Sequence, residues 1–306
     1  MGAQLRVYRR RIRSTKSMAK ITRAMELIAT TRITKAQRAA EAAGPYAREI
    51  TRAVSALAGR VSDHPLLTES ENPTRAAVLV ITSDKGLAGA FSTNALKEAD
   101  SLSQLLREQG KEVLTYMVGR KGVGFYKFRD RPVEAAWEGF TERPTYAHAQ
   151  EIGSALMEKF AMDSADGGVD EIHVVSTEFV SMLTQRAGSV RALPLEVYPV
   201  PLEELKAEHG GEALPLYEFE PSAEEALEQL LPQYVTNRIY FALLESSASQ
   251  QASRRAAMKA ATDNAEELAK NLTRLANQAR QAEITNEISE IVGGADALSA
   301  ASAGSE

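Results

Sequence analysis

Between Ala3 and Ala43 the chain contains neither glycine nor proline. A run that long without a helix breaker constrains the fold more than any other feature, and as a helix it measures roughly 60 Å. Within it, Met18, Ile21, Met25 and Ile28 recur at steps of three, four and three; one position on, Ala29, Ile33, Ala36, Ala40 and Ala43 repeat four, three, four, three. That spacing is a coiled-coil seam built from small residues. Gly44-Pro45 is placed to kink or interrupt the helix, which resumes to Leu57 before Asp63-His64-Pro65 ends it.

The other end mirrors this pattern. After Pro221-Ser222, a proline followed by an N-cap serine, a helical pattern runs to Val292, broken only by Pro232. Leu268, Leu272, Leu275, Ala279 and Ala282 again step four, three, four, three. Such a helix is on the order of 100 Å long, and two long seams at opposite ends of one chain invite each other as an antiparallel pair. The small, polar ALSAASAGSE tail is expected to fray.

Between the seams the character changes. RAAVLVITSD (75–84), KEVLTYMVG (111–119) and DEIHVVSTEF (170–179) read as strands, with helical patterns over 92–108 and 145–161. Strands alternating with helices predict βαβ units. The expected architecture is an α/β domain with a mainly parallel, Rossmann-like sheet, carried on a long antiparallel coiled coil of N- and C-terminal helices. Residues 1–60 form the N-terminal shaft helix, 61–220 the globular domain, and 221–306 the C-terminal helix and tail.

Charge is segregated along this plan. Residues 1–60 hold fourteen Lys/Arg against three Glu, so the overall −5 leaves −16 on residues 61–306. The basic arm therefore meets something acidic: nucleic acid, lipid, an acidic protein loop or another part of the chain. Arg9, Arg10, Arg11 and Arg13 form a dense cluster, but the helix lacks aromatic interleaving and any recognised nucleic-acid reading module. Its Arg-rich, acid-poor start is also the composition of a transit peptide, against which stands the absence of a cleavage-like break before residue 43. No window approaches the length of apolar sequence a membrane span needs. The chain has no cysteine, which excludes disulfides, thiolate metal sites and thiol redox switching.

Chemistry-bearing motifs are sparse. SDKGLAGA (83–90) lies between the first strand and a helix, where an α/β sheet holds phosphate, yet it has neither G-x-G-x-x-G nor G-x-x-x-x-G-K-[ST]. It reads as a phosphate loop or as a structural tight turn, and GRKGVG (119–124) poses the same choice. The histidines 64, 148, 173 and 209 have no metal-ligand spacing, and neither H-E-x-x-H nor G-x-S-x-G is present. No catalytic constellation, metal site or cofactor site is predicted.

ITRAMEL (21–27), GPYA (44–47), SDKGLAGA (83–90), MKAATDN (258–264) and ITNEISEIVGGADA (284–297) together resemble the gamma subunits of rotary ATP synthases, in a bacterial form. The likeness spans nearly the whole chain. It implies a non-catalytic central shaft turning inside a ring of three alpha and three beta subunits, with the globular domain standing on the c-subunit ring beside epsilon. Proton flow through the c ring would thereby be coupled to ATP synthesis or hydrolysis at the beta subunits. The implied location is peripheral, on the cytoplasmic face of the bacterial plasma membrane, with no nucleic acid partner.

Carried over by motif, the resemblance implies that Lys20, Arg23, Met25, Arg254, Arg255, Arg280, Gln281, Thr285 and Glu287 face the stator. The alternative for the arginines is an ion pair with the other shaft helix. LYEFEP (216–221) resembles the segment facing the c ring, implying Tyr217 and Glu220 there. Phe219 stands where a tyrosine is common, and Ala88 where many members have cysteine, so dithiol regulation is impossible here. On this reading the isoleucines of the last helix are covered by the surrounding subunits.

Overall fold

RAAVLVI is buried along nearly its whole length because it occupies the middle of a five-stranded sheet. The computed structural model describes residues 2–58, 67–68, 70, 72–195, 219–220 and 222–303. In chain order these form α1 (Gly2–Ala58), β1 (Arg75–Ile81), α2 (Phe91–Glu108), β2 (Glu112–Val118), α3 (Arg120–Phe128), β3 (Ala135–Trp137), α4 (Tyr146–Ala161), β4 (Glu171–Phe179), β5 (Gln185–Leu193) and α5 (Ala223–Ala303). Two compact units result: Ala29–Arg254, and Met1–Ile28 with Arg255–Glu306. Both α1 and α5 contribute to each.

The sheet order is β3-β2-β1-β4-β5. The β1–β2, β1–β4 and β2–β3 pairs are parallel and only β5 runs antiparallel, on β4, so the expected mainly parallel α/β domain is what forms. Alternation along β1 serves two cores. Ala76, Val78 and Val80 face Leu96, Ala99 and Leu106 of α2 and Tyr126 of α3. Ala77, Leu79 and Ile81 face Ile152 and Leu156 of α4 together with Val235, Ile239 and Leu243 of α5. With helices on both faces, β1 loses all contact with water and reads as a continuous apolar run. A third cluster joins Ile50, Val54 and Leu57 of α1 to Leu227 and Leu231 of α5.

Three elements depart from the expectation. GRKGVG is not a loop: Gly119 caps α3, and Gly122 lies inside it. A Cβ on Gly122 would collide with Met117 Sδ and Thr82 Oγ1, and Gly119 adopts φ +97°, so both glycines are packing and turn requirements rather than a phosphate cradle. The strands β3 and β5 were not expected. One is three residues long, and the other is an edge strand with mixed burial that lacks an apolar run. The helices α1 and α5 also continue through Pro45 and Pro232, and α5 passes Gly293-Gly294 into the tail expected to fray.

Candidate functional site

In the unit of terminal segments, α1 and α5 run antiparallel. Thr22 Oγ1 and Thr262 Oγ1 meet at 2.6 Å, Arg23 reaches Glu266 at 3.5 Å, and Lys16 and Ala19 border a groove shared with Ala269 and Thr273. The inward positions are mostly short: Thr22 on α1, and Thr262, Ala265, Ala269 and Ala276 on α5, with Leu272 the large one among them. On α5 these follow a three-four rhythm, as a two-helix seam requires.

Of the expected seams, the Ala29 series holds, with Ala29 and Ile33 buried and Ala36, Ala40 and Ala43 half-buried; the other two are corrected. Met18, Ile21 and Ile28 face outward, half or more exposed, and so does Leu27 at 65%. On α5, Leu268 and Leu275 point outward while Leu272 stays on the seam, and Ala282 is exposed. Of the Met18 series only Met25 is half-buried. The seam of this unit lies one position along, through Thr22, Ala269 and Ala276, with Thr22 one heptad before the expected Ala29 on α1. Most of the large apolar side chains of the pair lie outside, and apart from Leu272 and Met258 the buried ones are small.

The register also leaves a stretch of α5 without a helical partner. With Thr22 opposite Thr262, the start of α1 aligns near Ala282. Beyond it, Ile284, Ile288, Ile291 and Val292 are all exposed, Ile291 at 72%. At about 25 cal/mol per Å² of apolar area, covering such side chains is worth 1.5–3 kcal/mol each, a gain the unit does not collect by itself.

The second arrangement lies in the Ala29–Arg254 unit, at the C-terminal edge of the parallel strands, where α/β folds place ligands. Here that edge is filled by α5. Ser246 Oγ accepts from the Thr177 amide at 3.1 Å, Ser249 Oγ donates to the Thr177 carbonyl at 3.1 Å, and Ser247 Oγ donates to the Glu142 carbonyl at 3.2 Å. Arg254, only 5% exposed, donates to Glu142 Oε1 at 2.8 Å and to Gln251 Oε1 at 2.9 Å. Its other nitrogen lies 3.4 and 3.5 Å from the Lys85 and Gly86 carbonyls.

Glu142 gathers cations from three elements. Besides Arg254 of α5, Arg32 of α1 reaches it at 2.6 Å and Lys85 of the β1–α2 loop at 2.9 Å. Burial alone would raise its carboxyl pKa, but Lys85, Arg254 and Arg32 outweigh burial and hold it below the usual carboxylate range. Burial pulls the Arg254 guanidinium below its ordinary value even with Glu142 opposing. Asp84 fastens the same loops. It accepts from the Arg120, Gly139 and Thr141 amides and from the Thr141 hydroxyl at 2.8–3.2 Å, and those bonds lower its pKa despite burial.

The SDKGLAGA loop is therefore a structural turn. Its acidic side chain is bonded within the chain, Leu87 and Gly89 take positive φ to close it, and the Ser83, Asp84 and Phe91 amides are given to Ser92 Oγ, Thr141 Oγ1 and the Ala88 carbonyl; at GRKGVG the first amides of α3 are given to Ser83 O, Asp84 Oδ1 and Thr82 Oγ1. An amide already bonded internally is not available to cradle a phosphate.

Of the candidates carried from sequence, Lys20, Arg23, Arg280, Gln281, Thr285 and Glu287 are exposed on the two-helix unit, and Met25 and Arg255 are half-buried there. The Thr285 hydroxyl bonds back to the Gln281 carbonyl at 2.9 Å. Arg254 belongs to the other unit and is engaged internally by Glu142, so it offers no outward face. Glu220 is exposed, and Phe219 packs on the cluster of Ile50, Val54 and Leu57. Tyr217 lies outside the described residues. Sequence reasoning missed Glu142 and Arg32 entirely. The signal available was ESSASQQASR (245–254), a helical stretch with no large apolar residue, which needs polar partners if buried.

Comparison with known proteins bears on what such an arrangement serves. A family described as ATP synthase matches residues 4–298. An ATP synthase gamma chain of Thermobifida fusca (strain YX) is 81% identical over 306 residues, all of both chains. Another, of Acidothermus cellulolyticus, is 60% identical over 97% of this chain and 98% of its own. Among solved structures, a chain of the Euglena gracilis mitochondrial ATP synthase (OSCP/F1/c-ring) shares the fold with TM-score 0.64 at 16% identity, over 97% of this chain and 95% of that one. A chain of the Tetrahymena thermophila mitochondrial ATP synthase central stalk and c-ring does so with TM-score 0.57 at 21% identity, over 79% and 99%.

Proposed function

The chain belongs to the ATP synthase gamma-chain family, and from that premise we propose that it is the non-catalytic central shaft, turning inside the alpha–beta ring and coupling proton flow to ATP synthesis or hydrolysis at beta. The observation that carries this reading is the inverted packing of the two-helix unit. Its large apolar side chains point outward, and the last turns of α5 bear Ile284, Ile288 and Ile291 uncovered. An apolar surface of that kind calls for a protein sleeve.

A single chain in a threefold ring makes three identical sites unequal, because each meets a different face of it. To move a site from mostly closed to mostly open takes about 5.5 kcal/mol of differential contact. The surface of this helix pair is uneven, with exposed Ile21, Ile28 and Leu268 and a groove bordered by the cations Lys16, Lys20, Arg23 and Lys270 with Glu266, so different orientations present different contacts.

Lys20, Arg23, Met25, Arg255, Arg280, Gln281, Thr285 and Glu287 are the proposed stator-facing residues. Guanidinium groups suit acidic loops because they stay charged and bind carboxylates in bidentate fashion. Arg254 leaves that set on account of its burial. Glu220 and, by its place in the sequence, Tyr217 are the residues proposed to meet the c ring and epsilon. No described helix is long and apolar enough to cross a membrane, so attachment to the cytoplasmic face of the plasma membrane would run through the c ring.

Reconstitution tests the reading. Added back to a gamma-depleted complex in proteoliposomes, the chain should restore ATP synthesis driven by a proton gradient. The isolated chain should show no ATPase activity. Failure to restore synthesis in complexes that a native gamma chain rescues would overturn the assignment.

A further inference from the structure

We propose that Glu142 is the positioning residue that clamps both terminal helices to the loops at the edge of the sheet, so that torsion borne by α1 and α5 is shared at this carboxylate in addition to the core contacts of α5. The torsional half of this rests on the rotor reading; the clamp itself does not. Three elements far apart in sequence end on this side chain: Arg32 of α1 at 2.6 Å, Arg254 of α5 at 2.8 Å and Lys85 of the β1–α2 loop at 2.9 Å. Its own loop is fixed independently of the carboxylate by Asp84, which accepts from the Gly139 and Thr141 amides, and Ser247 of α5 donates to the Glu142 carbonyl. The carboxylate is therefore a fixed post, and the helices are what it holds.

The charge balance makes the post necessary rather than incidental. Arg254 is buried and Arg32 half-buried, and the two guanidinium groups lie close enough for each other's charge to count. With Glu142 ionised they share one counterion. Without it, two cations on the two helices face each other with reduced access to water, and the geometry that drew the helices together drives them apart. A neutral side chain of the same shape cannot replace it.

Position strengthens the case. The clamp sits at residues 32 and 254, just inside the limits of the Ala29–Arg254 unit, where α1 and α5 pass from one unit to the other. The neighbouring α5 segment is tied to the sheet by Ser246 and Ser249 on Thr177 and by Ser253 on Gln185. On the α1 side, the 2.6 Å bond of Arg32 ends on the Glu142 carboxylate itself, whereas those serine bonds do not involve it. Loss of Glu142 should therefore free α1 more than α5.

Hydrogen exchange on the full chain tests the clamp. In Glu142→Gln, amides of residues 29–36 should exchange about tenfold or more faster and those of 246–254 by a smaller factor, with β1 and α4 unaltered. Wild-type rates at both helical segments would overturn the proposal. If that variant does not fold, Arg32→Gln is read instead: faster exchange confined to 29–36 supports the clamp, and no change overturns it. In the assembled complex, Glu142→Gln should keep ATP hydrolysis while protons pumped per ATP fall severalfold. An unchanged ratio despite loosened helices would remove the torsional role. If the wild-type chain does not assemble at all, the rotor reading fails, and the exchange result still decides the clamp.

Discussion

In the Ala29–Arg254 unit, α4 turns Ile152 and Leu156 into the core and leaves its polar side to water. In the unit formed by the two chain ends, the helices do the reverse: Ala265, Ala269 and Ala276 are inside, and Ile21, Leu27, Leu268 and Ile291 are outside. The same residue types are used, but the first unit spends its apolar area on its own fold and the second holds it for a partner. Burial separates a stability-bearing region from a binding region here, where hydropathy alone does not.

Acid should strike the first unit hardest. Burial opposes ionisation of Glu142, Asp84, Asp170 and Glu171, yet bonds to each keep all four below their ordinary values. For Glu171 the partners are His173 at 3.0 Å and the buried Lys111 at 2.6 Å. A depressed folded pKa means stability fully present above the unfolded value, about 4, and lost as pH falls through the folded one. Glu245 works the other way, raised by burial and by Glu178. Near-ultraviolet circular dichroism should hold steady to about pH 4 and collapse below it; a signal unchanged at pH 2 would contradict the account.

Truncations sharpen the contrast. Leu156→Ala, at a fully buried site, should cost about 2–5 kcal/mol by denaturant titration, whereas Ile291→Ala should stay within about 0.5 kcal/mol. Equal costs would erase the distinction between the units. Two adjacent positions on α5 should also answer oppositely. Ala269→Leu overfills the seam and should destabilise the pair by about 1–3 kcal/mol, read as loss of helical signal, while Leu268→Ala next to it should do little. Thr262→Val, which removes the bond to Thr22, should fall between these, at a cost of about 1 kcal/mol.

What was legible in the sequence follows the same division. Buried strands such as RAAVLVI announce themselves because burial on both faces demands an unbroken apolar run, and β1, β2, β4, α2 and α4 lie where that reasoning put them. The helix pair was legible in length and in the inward Ala29–Ile33 series, but not in the facing of its larger residues. Met18, Ile21 and Ile28 have the right spacing for a seam, and only the depth of Thr22 and Ala29 reveals that they line the other side. The edge strand β5 and helix α3 were hidden because pairing on one side, and the close approach at Gly122, do not require an apolar pattern. Glu142 was invisible for a different reason: it matters through Arg32 and Arg254, 110 and 112 residues away in the chain, and no local pattern encodes such a meeting.

The central claim is that the outward apolar face of the terminal helices is reserved for surrounding subunits. Native mass spectrometry of the chain mixed with alpha and beta subunits tests it most directly, with wild type compared against a variant carrying Ile284→Ser, Ile288→Ser and Ile291→Ser. The account predicts a species of three alpha, three beta and one wild-type chain, and a marked loss of it for the variant at unchanged thermal stability of the free chain. A wild-type chain that stays alone, or a variant that assembles as well as wild type, would contradict it.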